Sequence, residues 1–311
     1  MKTLVAGWFS FEQMGASAGD LLVRDLTCDW LASAGRDYDV ALAFPFEGGV
    51  DWRSVEAGAY DEVLFVCGPF GNGPPLIEFL EKFRGIRLVG LNLTMLEPLE
   101  TWNPTTLLIE RDSSRQTRPD LAFLADGGSV PVVGVVLIDT QPEYGARDLH
   151  AEAHEAIEAL FSSRELAVVR IDTRLDVVNS AGLRTPAEVE SLIARMDAVV
   201  TTRLHGLVLA VKNGVPALVI DTVAGGAKVS RQAEALGWPI VFTADQLDAD
   251  ALAEALDRCL RPETRAVVRA CAESARANLA SVRHELLGEE KNPAQAGFSE
   301  GGPKRVLREP S

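Results

Sequence analysis

With 311 residues, 47% of them hydrophobic, the chain is long enough to bury two separate cores. A formal net charge of -15 makes its surface repel nucleic acid and anionic lipid, so neither is expected as a general partner. Aromatic residues make up only 6%, so aliphatic side chains and alanine are expected to fill the interior.

Short apolar, β-branched runs alternate with amphipathic stretches along the chain. Residues 3–6 read as a first strand. A loop rich in Gly, Ser and Ala follows, with Gly15, Gly19 and Asp20 suited to approach a ligand. A helix then covers about 20–34, with Asp20 as its cap. Further strands fit 40–43, 62–67, 87–91 and 107–110. Cys67-Gly68-Pro69-Phe70-Gly71-Asn72-Gly73 follows one of them, and Pro74-Pro75 suit a helix start. Its glycines, Gly68 and Gly71 among them, do not fall in the order of a dinucleotide fingerprint.

Residues 125–131, with two glycines, a serine and a proline, break the alternation and read as a linker. The alternation resumes with strands at 132–138, 167–171, 198–201, 217–220 and 239–242. The intervening helices are expected at 149–162, 186–195, 204–212, 228–236 and 249–260. A last long helix, 263–287, could pack back on the first domain. From residue 288 Glu, Lys, Gly, Pro and Ser dominate, which predicts a mobile tail. The expected fold is therefore α/β, with two Rossmann-like, doubly wound domains facing a cleft: 1–126, 127–287, and the tail 288–311. Ligands in such sheets bind outside the carboxyl ends of the strands.

Cys28, Cys67, Cys259 and Cys271 form no Cys-x-x-Cys pair, which predicts reduced thiols, no structural zinc and a cytoplasmic setting. The N-terminal residues lack the apolar run of a secretory signal, and no segment reaches the roughly 18–20 apolar residues of a membrane span. His150 and His154 are four apart on one helix. Their neighbours Glu152, Glu155 and Glu158 mark a solvated acidic face, no third ligand is evident, and no metal is expected. There is no Walker loop and no Gly-x-Ser-x-Gly elbow.

The chemistry concentrates at Thr201-Thr202-Arg203-Leu204-His205-Gly206, where an apolar strand runs into a helix. Free N–H groups and the helix dipole favour anions at such a junction, and Arg203 and His205 can add positive charge. The plainer alternative is an arginine capping the sheet edge and a histidine with a satisfied hydrogen bond. Lys228 opens the helix after Gly225-Gly226. Its charge opposes the dipole there, which an anion at the helix mouth would explain; a solvated lysine is the alternative.

Arg203-Leu204-His205-Gly206, then Gly214-Val215-Pro216 and Lys228, resemble in order and type the signature region of polysaccharide pyruvyl transferases. Gly19-Asp20, Arg111-Asp112-Ser113-Ser114 and Pro119-Asp120-Leu121-Ala122-Phe123 are similar to weaker motifs of the same family. The resemblance implies a GT-B-like fold and transfer of a pyruvyl group from phosphoenolpyruvate to a sugar, forming a ketal. It implies His205 as the catalytic acid or base and Arg203, Leu204, Gly206 and Lys228 as donor-binding residues. Gly19, Asp20, Gly68, Gly71, Arg111 and Asp112 become candidate cleft residues on the acceptor side. No cofactor is expected beyond the donor itself. The acceptor would be a glycan or lipid-linked sugar, met in the cytoplasm or at the inner membrane face.

Two departures fall in the first domain. Only Arg115-Gln116-Thr117-Arg118 separates Ser114 from Pro119, where the family carries a helix and turn. The 8–18 loop is longer and lacks the asparagine that precedes Gly-Asp. Two other readings remain beside the first: a nucleotide-sugar glycosyltransferase of the same shape, and a family relative that binds without turnover.

Overall fold

The computed structural model describes residues 1–12, 15–138 and 142–288. The chain divides into two compact units, Met1–Gly128 and a second that opens at Ser129. The division falls inside the 125–131 stretch, where glycines and a proline interrupt the alternation. Beyond residue 288 the tail lies outside the described residues.

The first unit contains β1 (Lys2–Gly7), α1 (Ala18–Ser33), β2 (Asp37–Val40), β3 (Glu62–Val66), β4 (Pro69–Phe70), α2 (Leu76–Lys82), β5 (Arg87–Leu91), β6 (Thr94–Met95) and β7 (Leu107–Ile109). Five strands form one sheet in the order β2-β1-β3-β5-β7, every pair parallel. β4 and β6 make a separate parallel pair. The second strand is earlier than the expected 40–43. It pairs with β1 from Lys2–Asp37 to Val5–Val40, and Ala41 makes only an isolated bridge to Val50.

The aromatic residues, sparse in the whole chain, gather in this unit. Trp8, Phe11, Trp52, Phe65, Phe70, Phe79 and Phe83 share one buried cluster. Phe65–Phe70 and Trp52–Phe79 meet edge to face, with ring centroids 5.0 and 5.3 Å apart. The expectation of an aliphatic interior fails here because composition says nothing about segregation. Trp8, Phe9, Ser10 and Phe11 belong to this interior, so the start of the loop after β1 is core rather than ligand-facing.

The second unit contains β8 (Val132–Val136), α3 (His150–Ser162), β9 (Ala167–Arg170), α4 (Pro186–Ile193), β10 (Ala198–Thr201), α5 (Leu204–Lys212), β11 (Ala217–Asp221), α6 (Lys228–Leu236), β12 (Val241–Thr243), α7 (Ala249–Leu260), α8 (Thr264–Asn278) and α9 (Val282–Leu287). Its sheet runs β12-β11-β10-β8-β9, again all parallel. Its core is aliphatic, built from valines of β8 and β10, residues 217–220 of β11 and the apolar stripes of the helices. The single helix expected over 263–287 is two helices. Residues 279–281 turn between them. α8 buries Val268, Cys271 and Ala272 against α5, α6 and α7, so it packs on its own unit.

Both sheets share one strand order: counted from the first strand of each unit it is 2-1-3-4-5. Chain direction reverses between the first and third strands, so each unit has a crevice at their carboxyl ends. In the second unit this point lies between β8 and β10.

Candidate functional site

The β10–α5 junction is held by two buried threonines. Thr201 Oγ1 donates to the Val136 carbonyl at 2.8 Å and accepts from the Arg203 N–H at 2.9 Å. The Thr202 N–H reaches the same Val136 carbonyl at 3.1 Å, and Thr202 Oγ1 accepts from the Ile138 N–H at 2.9 Å. These bonds tie the ends of β8 and β10 together and leave Arg203 as the N-cap of α5, in extended backbone. Its side chain does not cap the helix, so the first N–H groups of α5 are left for another acceptor.

Gly206 explains how the helix sits so low over the sheet. A Cβ there would meet Thr201 Oγ1 at 2.1 Å and Val136 Cβ at 3.1 Å. Its place in the motif is thereby a packing requirement. Leu204 is partly buried against the aliphatic core and serves the same purpose.

A pocket of about 470 Å³ opens at the carboxyl ends of β8, β9 and β10. Leu137, His154, Arg170, Asp172, Ser180 and Arg203 are among its walls. Arg203 Nη1 donates to Asp172 Oδ1 at 3.0 Å and to Thr173 Oγ1 at 3.1 Å, both side chains of the ion pair being largely buried. These are its guanidinium's hydrogen bonds among the described residues, so Nε and Nη2 remain as donors. Asp172 also accepts from the backbone N–H groups of Arg174 and Ser180 at 2.8 and 3.1 Å. Burial alone would raise its carboxyl pKa. Those two N–H groups, the Arg203 charge and the Ser180 hydroxyl outweigh burial and hold it below the usual carboxylate range.

The two histidines of α3 differ. His150 is 1% exposed and both ring nitrogens are engaged, Nε2 with Thr222 Oγ1 at 2.9 Å and Nδ1 with Asp148. His154 lines the pocket, and its Nε2 is shielded from solvent with no hydrogen-bond partner among the described residues. An unmet buried donor or acceptor costs about 1–3 kcal/mol. Glu152, Glu155 and Glu158 are exposed, as a solvated acidic face requires, but His150 is buried and His154 is half-buried, so the histidines do not belong to that face. Among the described residues no group of three or more His, Cys, Asp or Glu could hold a metal ion.

His205 is exposed on the first turn of α5 and is not among the pocket walls. Its hydrogen-bond alternative is not met among the described residues. Lys228 is partly buried at the start of α6. The anion at that helix mouth is internal: buried Asp221 Oδ2 accepts from the N–H groups of Ala227 at 2.7 Å and Ser230 at 2.8 Å, and from Ser230 Oγ at 2.9 Å. Two N–H groups at the α6 terminus, those of Ala227 and Ser230, thus find their acceptor within the chain.

In the first unit the candidate residues have local partners. Ser17, not Asp20, is the N-cap of α1; Asp20 is its capping-box partner, accepting from the Ser17 N–H at 2.7 Å. A Cβ on Gly19 would make only an ordinary contact, with Ser17 Oγ at 3.6 Å. Gly68 is required: its φ is +77° and a Cβ would strike Trp8 Nε1 at 1.9 Å. A Cβ on Gly71 would press on Leu96 at 2.8 Å. Arg111 pairs with Asp120 at 2.6 Å and donates to Thr94 Oγ1 at 2.7 Å. Asp112 accepts from Thr117 Oγ1 at 2.7 Å. Arg111 and Asp112 thus hold the 111–120 turn.

Asp172, Arg170 and Ser180 were missed by sequence reasoning, as was the pocket role of His154. One signal was present: Asp172 directly follows the strand expected over 167–171, at the sheet end where the Arg203 junction also lies.

A family model described as "Polysaccharide pyruvyl transferase" matches residues 118–222. None of the curated proteins compared matches the chain. Among solved structures, a calicheamicin glycosyltransferase is 15% identical, covers 93% of this chain and 99% of its own, and has a TM-score of 0.34. A spinosyn rhamnosyltransferase is 12% identical over 92% of this chain and all of its own, at a TM-score of 0.35. A UDP-GlcNAc 2-epimerase from Methanocaldococcus jannaschii is 10% identical over 85% of this chain and 94% of its own, at 0.32. The α/β, Rossmann-like class rests on the chain's own two parallel sheets. The matched stretch contains Pro119-Asp120, the whole pocket wall, Arg203-Leu204-His205-Gly206 and Gly214-Val215-Pro216, while Gly19-Asp20, Arg111-Asp112 and Lys228 lie outside it. Over residues 118–222 the chain matches the polysaccharide pyruvyl transferase family.

Proposed function

We propose that the protein transfers the pyruvyl group of phosphoenolpyruvate to a sugar of a cell-surface polysaccharide or its precursor, closing a ketal across two hydroxyls. The observation that carries this reading is the position of Arg203. It stands in the matched stretch, at the mouth of α5, and lines the pocket at the β8–β10 crevice.

The chemistry needs a grip on a doubly anionic donor and one proton donor. Arg203 Nε and Nη2, with the uncapped N–H groups of α5, supply the grip on phosphate or carboxylate. The donor methylene takes a proton and C2 becomes oxocarbenium-like. One sugar hydroxyl bonds to C2, the bond from C2 to the phosphate oxygen breaks, and the second hydroxyl closes the ketal. Of the two hydroxyl protons, one balances the proton gained by the new methyl group and the other leaves with inorganic phosphate. His205, exposed beside the helix mouth, is assigned the acid or base role. Lys228 is assigned the offset of negative charge as phosphate leaves. The balance requires no redox cofactor.

Among the described residues no helix is long and apolar enough to cross a membrane. Action in the cytoplasm or at the inner membrane face, on a free or lipid-linked glycan, belongs to the same proposal.

Heat stabilisation separates the readings. Stabilisation by phosphoenolpyruvate, with phosphate release once a glycan acceptor is added, supports pyruvyl transfer. Stabilisation by a nucleoside diphosphate instead assigns the pocket to a nucleotide sugar. Binding of phosphoenolpyruvate without release on any acceptor assigns a binding role.

A further inference from the structure

We infer that His154 is a ligand-contacting residue of the β8–β10 pocket, its ring nitrogen donating a hydrogen bond to the anion held beside Arg203. This deepens the donor-site reading and rests on it. The family signature directs attention to His205; the pocket wall contains a different histidine.

Three observations carry the inference. The first is the contrast with His150, one turn earlier on the same helix, whose ring nitrogens both have partners. A histidine kept only for packing at this point of the fold would be expected to find such partners, as His150 does. The second is the Nε2 of His154, unpaired among the described residues, since buried polar atoms are nearly always paired and an exception calls for a reason. A half-turn of the ring about χ2 exchanges Nε2 with Cε1, so the nitrogen can leave its shielded position without backbone movement.

The third is the charge around it. From the ends of β9 and β10 the pocket presents Arg170, Asp172 and Arg203. The Asp172 carboxylate is already engaged by Arg203 and by the N–H groups of Arg174 and Ser180. On α3 itself, Glu158 is turned to Arg170 at 2.6 Å, and the His150 ring lies 6.4 Å from that of His154, edge on. The donors left over are those of an anion site, and a protonated His154 would add one more.

The test uses the full chain and phosphoenolpyruvate as probe. The four imidazoles, His150, His154, His205 and His284, are few enough to follow by NMR, with H154Q and H205Q giving the assignments. Phosphoenolpyruvate is expected to move the His154 resonances. H154Q is expected to weaken binding about tenfold by calorimetry, as for loss of one hydrogen bond to a charged group. Its ligand-free melting temperature should be nearly unchanged, because His154 Nε2 has no hydrogen bond among the described residues to lose; a merely structural histidine would lower it. Absence of phosphoenolpyruvate binding by the unaltered protein overturns both this inference and the donor-site reading. Binding that R203A abolishes while H154Q retains it, with His154 resonances unmoved, overturns this inference alone.

Discussion

Arg203 and Asp172, 31 residues apart in the chain, form a largely buried ion pair with Nη1 and Oδ1 3.0 Å apart. The pair joins the end of β9 to the mouth of α5 and aims the guanidinium across the pocket. Asp172→Ala should therefore act twice. It leaves a buried charge unpaired, costing about 2–4 kcal/mol in urea unfolding, and it lowers phosphoenolpyruvate affinity more than tenfold. Arg203→Lys should spare most of the stability and still lose the affinity, because an ammonium cannot present a fork of donors. Equal loss of stability in both variants would contradict this division.

Gly206 and Gly19 give opposite predictions for the same substitution. Gly206→Ala drives a methyl into Thr201 and Val136, so α5 must lift; about 1–3 kcal/mol of stability and most donor binding should be lost. Gly19→Ala, on α1, meets nothing nearer than Ser17 Oγ at 3.6 Å. It should stabilise by about 0.5–1 kcal/mol through helix propensity. Turnover unchanged in Gly19→Ala would remove that residue from the candidate cleft.

Asp221 and Lys228 separate structure from chemistry at the α6 terminus. Asp221→Ala strips the acceptor from three backbone N–H groups, those of Val223, Ala227 and Ser230, and from a hydroxyl, and should cost about 2–3 kcal/mol in thermal or urea unfolding. Lys228→Ala has no such partner to lose and should shift stability by less than about 0.5 kcal/mol. A fall in kcat without a change in donor affinity would then locate its action in phosphate departure.

Glu110 supplies a pH dependence in the first unit. It is fully buried beneath Arg115, with Arg118 at 3.8 Å. Burial alone would raise its pKa, but hydrogen bonds from Arg115, its own backbone N–H and Ser113 outweigh this and hold it at about 2, below the usual 4.5. A folded pKa below the unfolded one means stability that is present above about pH 4.5 and is lost as pH falls toward 2. Urea unfolding should show this loss between pH 5 and about 2. Glu110→Gln should be less stable at pH 7 by about 2–3 kcal/mol and should show a smaller loss on acidification.

The legible parts of the fold were those with local causes. Residues 198–201, 204–212, 228–236 and 249–260 have the expected bounds, because β-branched runs, helical spacing and flanking turn residues act within a few positions. The 40–43 strand was misplaced because its bounds depend on which residues β1 pairs with. The 263–287 helix was overextended because its periodicity continues across the Asn278–Ser281 turn. The aromatic core of the first unit was invisible to a whole-chain composition.

The site divides the same way. Arg203-Leu204-His205-Gly206 is contiguous, and its strand-to-helix position follows from pattern alone. The partner of Arg203, the internal cap on α6 and the different surroundings of His150 and His154 are not contiguous. Thr222 lies 72 residues from His150, and Asp172 is brought to Arg203 only when β9 and β10 flank β8. By itself the sequence determined the alternation of strands and helices and the junction where an anion site could form. Tertiary structure alone decided which charges there are already neutralised and which histidine lines the pocket, because burial and pairing depend on strand order, and strand order joins residues that local pattern cannot relate.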